Sequence, residues 1–230
     1  MSTNSVIVEF VGLPGVGKST LSHRAASDFK AEGSRVTEPI RRIDDRSNLH
    51  RVLSKGRFAT EHTLLRPRTA FSLARILSAT EQRSTADYVR VGFNLQYVAG
   101  VILNARSTTG VTLLDQGPYQ GVWSAGLRST TDWESLFDRF DRFLSRTSPD
   151  LLVLVEADRE TITERLRSRK DGDTRFDSTP ATFDHGLNGY EALKNRLDRS
   201  NTGPKTIVVE NETRDDLQTS VNRITDAIST

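Results

Sequence analysis

The chain has 230 residues, enough for one sizeable domain whose apolar core needs neither metal nor disulfide. Thirty-two Lys and Arg against 30 Asp and Glu leave a net charge of +2, which is no nucleic-acid signal by itself, and nucleic acid is not the expected partner. The lack of cysteine excludes disulfides, thiolate zinc sites and a cysteine nucleophile; with no apolar run near the roughly 20 residues of a membrane span and no secretory pattern, a soluble cytoplasmic protein is expected.

The first predicted strand, SVIVEFVG over 5–12, runs straight into Gly12-Leu13-Pro14-Gly15-Val16-Gly17-Lys18-Ser19. This stretch fits G-x-x-x-x-G-K-[ST] and precedes a helix on which Leu21, Ala25 and Phe29 recur every four residues. Glycine permits positive φ and carries no side chain, so successive N–H groups can turn inward around a phosphate. The following helix adds the partial positive charge of its N-terminus. Lys18 can reach the β- and γ-phosphates of a nucleoside triphosphate, Ser19 can place its hydroxyl on Mg²⁺, and Thr20 lies near the α-phosphate. The nucleotide-binding set is therefore Gly12, Pro14, Gly15, Val16, Gly17, Lys18, Ser19 and Thr20, with ATP and Mg²⁺ as the expected cofactors.

The second predicted strand, RVTEP over 35–39, leads into IRRIDD. Glu38 lies at its carboxyl end and suits a hydrogen-bond donor of a substrate; Arg41 and Arg42 suit an acceptor phosphate, with plain surface charge as the competing reading. From about 44 to 109 the pattern is mostly helical and too long for a single crossover, so it reads as a helical insertion over the sheet edge. Pro67 is expected to kink or split its first long helix. Arg75, Asn94, Gln96 and Tyr97 are its polar residues best placed to look inward.

GVTLLD over 110–115 carries Asp115 to the carboxyl end of a third strand, where ligands of parallel sheets sit. There it can hold Mg²⁺ through water or take a proton from an attacking hydroxyl; a turn or cap aspartate is the alternative. Trp123 and Trp133 read as core, with Trp123 near enough to Asp115 to line an acceptor pocket instead. Leu136, Phe137, Phe140, Phe143 and Leu144 form an apolar helical stripe, and LLVLVEA over 151–157 is the fourth strand. TITERLRSRKDGDTRFD then begins as a helix and gives way to a polar loop. Arg165 and Arg169 share a helix face and Arg175 follows in the loop, an arrangement able to neutralise a transferring phosphoryl group and exclude water. Arg167 reads as exposed. KTIVVE over 205–210 is the fifth strand, after which Asn211 and Thr213 either meet a base or, as preferred, cap the last helix with its Leu217, Val221, Ile224 and Ile228.

Buried strands alternating with helices imply an α/β fold with a parallel sheet in one domain. The glycine loop, Glu38-Pro39, Asp115 followed by Tyr119-Gln120-Gly121, and the run Arg165, Arg169, Asp173, Arg175, Phe176, Asp177 together resemble the P-loop nucleoside and nucleotide kinases, thymidylate kinase above all. The resemblance implies a P-loop NTPase-type three-layer α/β/α fold, a five-stranded parallel sheet in the order 2-3-1-4-5, an acceptor-side insertion at about 44–109 and a lid at about 165–184. It implies an ATP- and Mg²⁺-dependent kinase of a nucleoside monophosphate or nucleoside. Lys18, Asp115, Arg165, Arg169 and Arg175 would be catalytic, Ser19 and Asp115 would hold the metal, and Glu38, Arg41, Arg42, Gln96, Gln116 and Tyr119 would meet the substrate. Gln116 stands where an arginine is usual in that family, and Ile40-Arg41 replace expected glycines, so the donor side carries over better than the acceptor. An antibiotic, a sugar or a polynucleotide 5′ end remain alternative acceptors, and a homodimer stays open. The rival class is a P-loop ATPase or nucleotide-binding regulator coupled to a protein partner; the lack of an N-K-x-D run disfavours a guanine-reading switch.

Overall fold

The apolar, β-branched runs form the strands of one sheet in the computed structural model, which describes residues 5–39, 67–168, 179–200 and 202–229. The strands are β1 (Ser5–Val11), β2 (Val36–Thr37), β3 (Gly110–Leu114), β4 (Leu151–Glu156) and β5 (Lys205–Glu210), in the order β2-β3-β1-β4-β5. Every pairing is parallel, with Glu9 opposite Leu114 on one side of β1 and Leu152 on the other. This is the order and architecture that the kinase resemblance implies.

The described helices are α1 (Lys18–Ala31), α2 (Pro67–Ser78), α3 (Thr85–Arg106), α4 (Pro118–Gly126), α5 (Trp133–Thr147), α6 (Arg159–Ser168), α7 (Pro180–Arg199) and α8 (Arg214–Ser229). α1 and α8 pack together on one face of the sheet, while α3, α4, α5 and α7 pack on the other. A strand buried on both faces can be apolar at odd and even positions alike, which explains the near-continuous runs. On the α3 side, Ile7 and Leu114 meet Tyr97, Val98, Val101 and Ile102. The main core draws Leu21, Ala25 and Phe29 from α1 and Leu136, Phe137, Phe140, Phe143 and Leu144 from α5, the two stripes read from the sequence. Among the described residues no helix is long and apolar enough to cross a membrane.

Several boundaries differ from expectation for identifiable reasons. β2 is limited to Val36–Thr37 and stops short of Pro39, which has no N–H for a ladder; the intervening Glu38 side chain turns to α1, where His23 lies 3.5 Å and Lys30 3.4 Å from its carboxylate. β3 stops at Leu114, so Asp115 is the first residue past the strand rather than its last. The described part of the insertion begins at Pro67, the first described residue of α2, so the kink or split expected at Pro67 falls at the edge of the described residues. The glycine-proline turn after Asp115 proves to be the start of α4, with Pro118 in its first turn. α7 begins at Pro180 behind the cap Thr179, inside the span expected for the lid, whose middle, 169–178, lies outside the described residues.

Capping accounts for most helix starts. Ser84 accepts from the Asp87 N–H at 3.1 Å for α3, and Asp132 from Ser135 at 2.9 Å for α5. Thr213 and Asp216 cap α8 reciprocally. The cap positions of α1 and α4 are instead glycines, Gly17 and Gly117, which have no side chain with which to do this. Those two helices start at the carboxyl edge of the sheet, beside β1 and β3. Trp123 is core, as expected, and its indole donates to the Gly186 carbonyl at 2.9 Å; Trp133 is half-buried against the core, its ring filling the space left by Gly126 and Gly189.

Phe140 is completely buried in the α5 stripe. Replacing it with Ala should cost about 3–5 kcal/mol. The expected result is a lower urea midpoint with an unchanged slope.

Candidate active site

β1 ends at Val11 and the chain enters the glycine loop. Gly15 and Gly17 hold φ of 92° and 94°, in the left-handed region that side chains strain. Gly12 is bare for a different reason: a Cβ there would lie 2.5 Å from the Val155 carbonyl oxygen on the neighbouring strand. The loop opens into α1, which has no acidic residue in its first turn and no side-chain bond from its cap. Its leading N–H groups and helix charge are thereby directed into the loop. The Lys18 ammonium folds back over the same space, donating to the carbonyls of Gly12 at 2.8 Å and Leu13 at 3.0 Å. Bare backbone, a helix N-terminus and one ammonium converge, and that donor set fits the phosphates of a nucleotide.

Ser19 Oγ donates to Asp115 Oδ2 at 2.9 Å. The contact joins the end of the loop to the first residue beyond β3. No cluster of three or more His, Asp or Glu occurs among the described residues. A hydroxyl and one carboxylate fit Mg²⁺, which keeps several waters and takes its other ligands from phosphate oxygens.

Behind the loop, two side chains hold the Val16 carbonyl. Asn211 Nδ2 donates to it at 2.8 Å, and Arg165 Nη1 at 3.3 Å. Arg165 also donates to the carbonyls of Asn211 at 2.8 Å and Glu212 at 2.9 Å, tying α6 to the segment after β5. The preferred reading of this segment divides: Thr213 is a cap, whereas Asn211 is buried against Gly17 and braces the loop. The Arg165 guanidinium is thus engaged with main-chain carbonyls at the rear of the loop.

The expected acceptor residues are more dispersed. Gln116 is exposed immediately after Asp115, and Gln96 is half-buried midway along α3. Glu38 is drawn to His23 and Lys30 of α1. The Tyr119 ring lies in the main core and its side chain is set against Ser148, before β4, with burial pushing the hydroxyl up to about 12. That direction leads away from the Ser19–Asp115 pair. Arg41, Arg42, Arg169 and Arg175 lie outside the described residues.

One residue escaped the sequence reading. Glu9 is completely buried in the middle of β1 and faces the start of α4, where its Oε1 accepts from the Gln120 N–H at 2.8 Å. A helix whose own cap is a glycine is thus capped from an adjacent strand. Gln120 in turn accepts from the Gly12 N–H at 3.0 Å through its side-chain oxygen. Burial pushes the Glu9 carboxyl up to about 8, opposed by the N–H groups of Gln120, Tyr119 and Gly117. The signal was a lone carboxylate in the otherwise apolar run SVIVEFV, and periodicity alone does not distinguish it from a solvent-facing residue.

Comparison with known proteins agrees with this geometry. The sequence matches the AAA domain family over residues 7–193, from β1 into α7. The chain belongs to that family. No curated protein matches this AAA domain protein in sequence. Its fold is that of the P-loop nucleoside kinases. A deoxyadenosine kinase from M. mycoides with products dCMP and a flexible dCDP bound superposes with a TM-score of 0.59 at 13% identity, covering 97% of this chain and 99% of that one. The same enzyme with bound dATP gives 0.56 at 14% identity, over 98% and 100%. With bound dCTP it gives 0.52 at 15% identity, over 97% and 99%.

The Glu9 carboxyl sets a pH dependence with a defined sign. In the folded chain it keeps its proton up to about 8, against 4.5 when exposed, so the unfolded chain ionises first. Its effect on stability is flat below the lower value, declines by at most about 1.4 kcal/mol per pH unit between the two, and levels off above the higher. Glu9→Gln, which does not ionise, should gain in melting temperature relative to the native protein as pH rises from 5 to 8. A constant difference over that range would contradict the assignment.

Proposed function

We propose that this protein is an ATP- and Mg²⁺-dependent phosphotransferase whose acceptor is a nucleoside or nucleoside monophosphate. The observation that carries the reading is the 2.9 Å bond from Ser19 to Asp115, which sets the first carboxylate beyond β3 at the mouth of the glycine loop. A carboxylate there places the metal in P-loop NTPases at large, and in a kinase it can also take the proton of an attacking hydroxyl; the fold shared with nucleoside kinases favours the second use. The deoxyadenosine kinases that share the fold support a nucleoside-type acceptor.

ATP supplies the phosphoryl group and Mg²⁺ the charge that shields its β- and γ-phosphates. Everything else falls to the chain. The N–H groups of Gly15, Gly17, Lys18 and Ser19 orient the phosphates, and Lys18 leaves its two carbonyl partners to stabilise charge on the moving group. Ser19 and Asp115 hold the metal end. Arg165 steadies the loop through Val16, and Arg169 and Arg175, assigned from the sequence, cover the phosphates. α3, with Gln96, and Gln116 wall the acceptor side as part of a single kinase domain. A hydroxyl acceptor gives up its proton to Asp115; a phosphate acceptor is gripped by Arg41 and Arg42, with Glu38 meeting a donor group.

ATP consumption by purified protein, with and without a panel of nucleosides, nucleoside monophosphates, sugars and aminoglycosides, tests this. Turnover should need an acceptor and Mg²⁺. Lys18→Ala should abolish transfer with the melting temperature preserved, and Asp115→Asn should lower it by about 10²–10⁴-fold for a hydroxyl acceptor. Turnover without acceptor that rises on adding a protein partner would establish the ATPase-regulator alternative instead.

A further inference from the structure

The glycine loop is held at both ends by one short segment, residues 115–120. At its start the Gly12 N–H donates to the Gln120 side chain at 3.0 Å; at its end Ser19 donates to Asp115 at 2.9 Å. Gln120 sits in the first turn of α4, five positions after Asp115, with Gly117 between them. Glu9 supports this segment from below: its Oε1 accepts from the Gln120 N–H, and a Cβ on Gly117 would collide with its carboxyl group. Glu9 and Gln120 are 0% and 7% exposed, so both act from within the core and not from the surface of the crevice. Glu9 Oε2 is buried without a hydrogen-bond partner among the described residues. A carboxyl group held in a core at that cost is more than filler, since an apolar residue of the same size would pack there without the desolvation penalty.

We infer that Glu9 and Gln120 are positioning residues that keep the metal end of the loop, Ser19 and Asp115, in register with its phosphate cradle. The inference rests on the nucleotide-binding reading above and deepens it. Glu9 orients the first turn of α4; that turn fixes Gln120, which anchors Gly12, and through Gly117 it fixes Asp115, which meets Ser19. With the strut removed, the amides of the cradle still face a phosphate, because Gly15, Gly17 and the α1 N-terminus do not depend on it. The spacing between cradle and metal end is lost. Nucleotide binding without metal therefore survives, whereas the benefit of metal and the rate of transfer do not.

The test uses the full chain with Glu9→Met and Gln120→Met, which keep length and volume but remove the acceptor oxygens, and Glu9→Gln, which keeps one. Calorimetry gives the affinity for ATP with EDTA and with Mg²⁺, and acceptor-dependent turnover gives kcat and KM. Both methionine variants should bind metal-free ATP as the native protein does. The gain in affinity on adding Mg²⁺, and kcat, should each fall about 10–100-fold, the scale seen for residues that orient metal ligands. Glu9→Gln should restore both, and the double methionine variant should be no worse than the poorer single one, as for two links of one chain. Metal-free and metal-bound affinities falling together, or an unchanged kcat in a folded variant, would overturn the inference. Should the native protein bind ATP but transfer to no acceptor, the kinase reading fails while the Mg²⁺ comparison still decides the role of the strut. If Glu9→Met does not fold, Gln120→Met, which leaves the β1 core intact, decides the same question by the same two measurements.

Discussion

Amide groups can grip a phosphate only where the fold leaves them unpaired, and leaving N–H groups unpaired at the edge of a core is unfavourable. The organisation of the carboxyl edge of this sheet follows from that constraint. α1 starts without a side-chain cap, so its N-terminal donors face the glycine loop, and Lys18 rests on loop carbonyls over the same space. The groups not meant for a ligand are satisfied by specific partners. Gly12 N–H goes to Gln120, and the Val16 carbonyl is taken by Asn211 and Arg165. The loop is thus divided into donors reserved for an anion and polar atoms used to hold its shape.

The division explains why the elements around the loop come from distant parts of the chain. α4, α6 and the turn after β5 each send one polar side chain to the loop, from 108, 149 and 195 residues away. The parallel sheet makes this possible, because all of its strands end at the same edge and every crossover returns there. Glu9 belongs to the same scheme from within the sheet. It substitutes for the side-chain cap that Gly117 lacks, and Gly117 must lack one because its Cβ would occupy the place of that carboxyl.

The donor side of the site was legible because its chemistry is local. Eight consecutive residues between a strand and a helix specify a phosphate loop, and their meaning does not depend on what packs behind them. Asp115 was legible for a related reason: a carboxylate at the end of an apolar run must emerge at the carboxyl edge. The acceptor residues had no such frame. Tyr119 stood in a segment resembling a kinase motif, yet the first turn of α4 rotates its ring into the core. Glu38 stood at a strand end, where His23 and Lys30 of α1 also approach its carboxylate. Arg165 read as a lid residue, yet three carbonyls converge on it.

The sequence by itself determined the parallel α/β architecture, the phosphate loop and the strand-end aspartate, since periodicity and glycine spacing act over a few residues and survive without partners. Only the tertiary structure decided which side chains face the crevice and which support it. That choice depends on the rotation of α4 about its axis, on the cap that Glu9 provides across from β1, and on the partners that Asn211 and Arg165 find behind the loop. Each is a contact between residues far apart in the chain, where one polar side chain in an apolar run can equally be a surface residue, a ligand or a strut until its neighbours are in place.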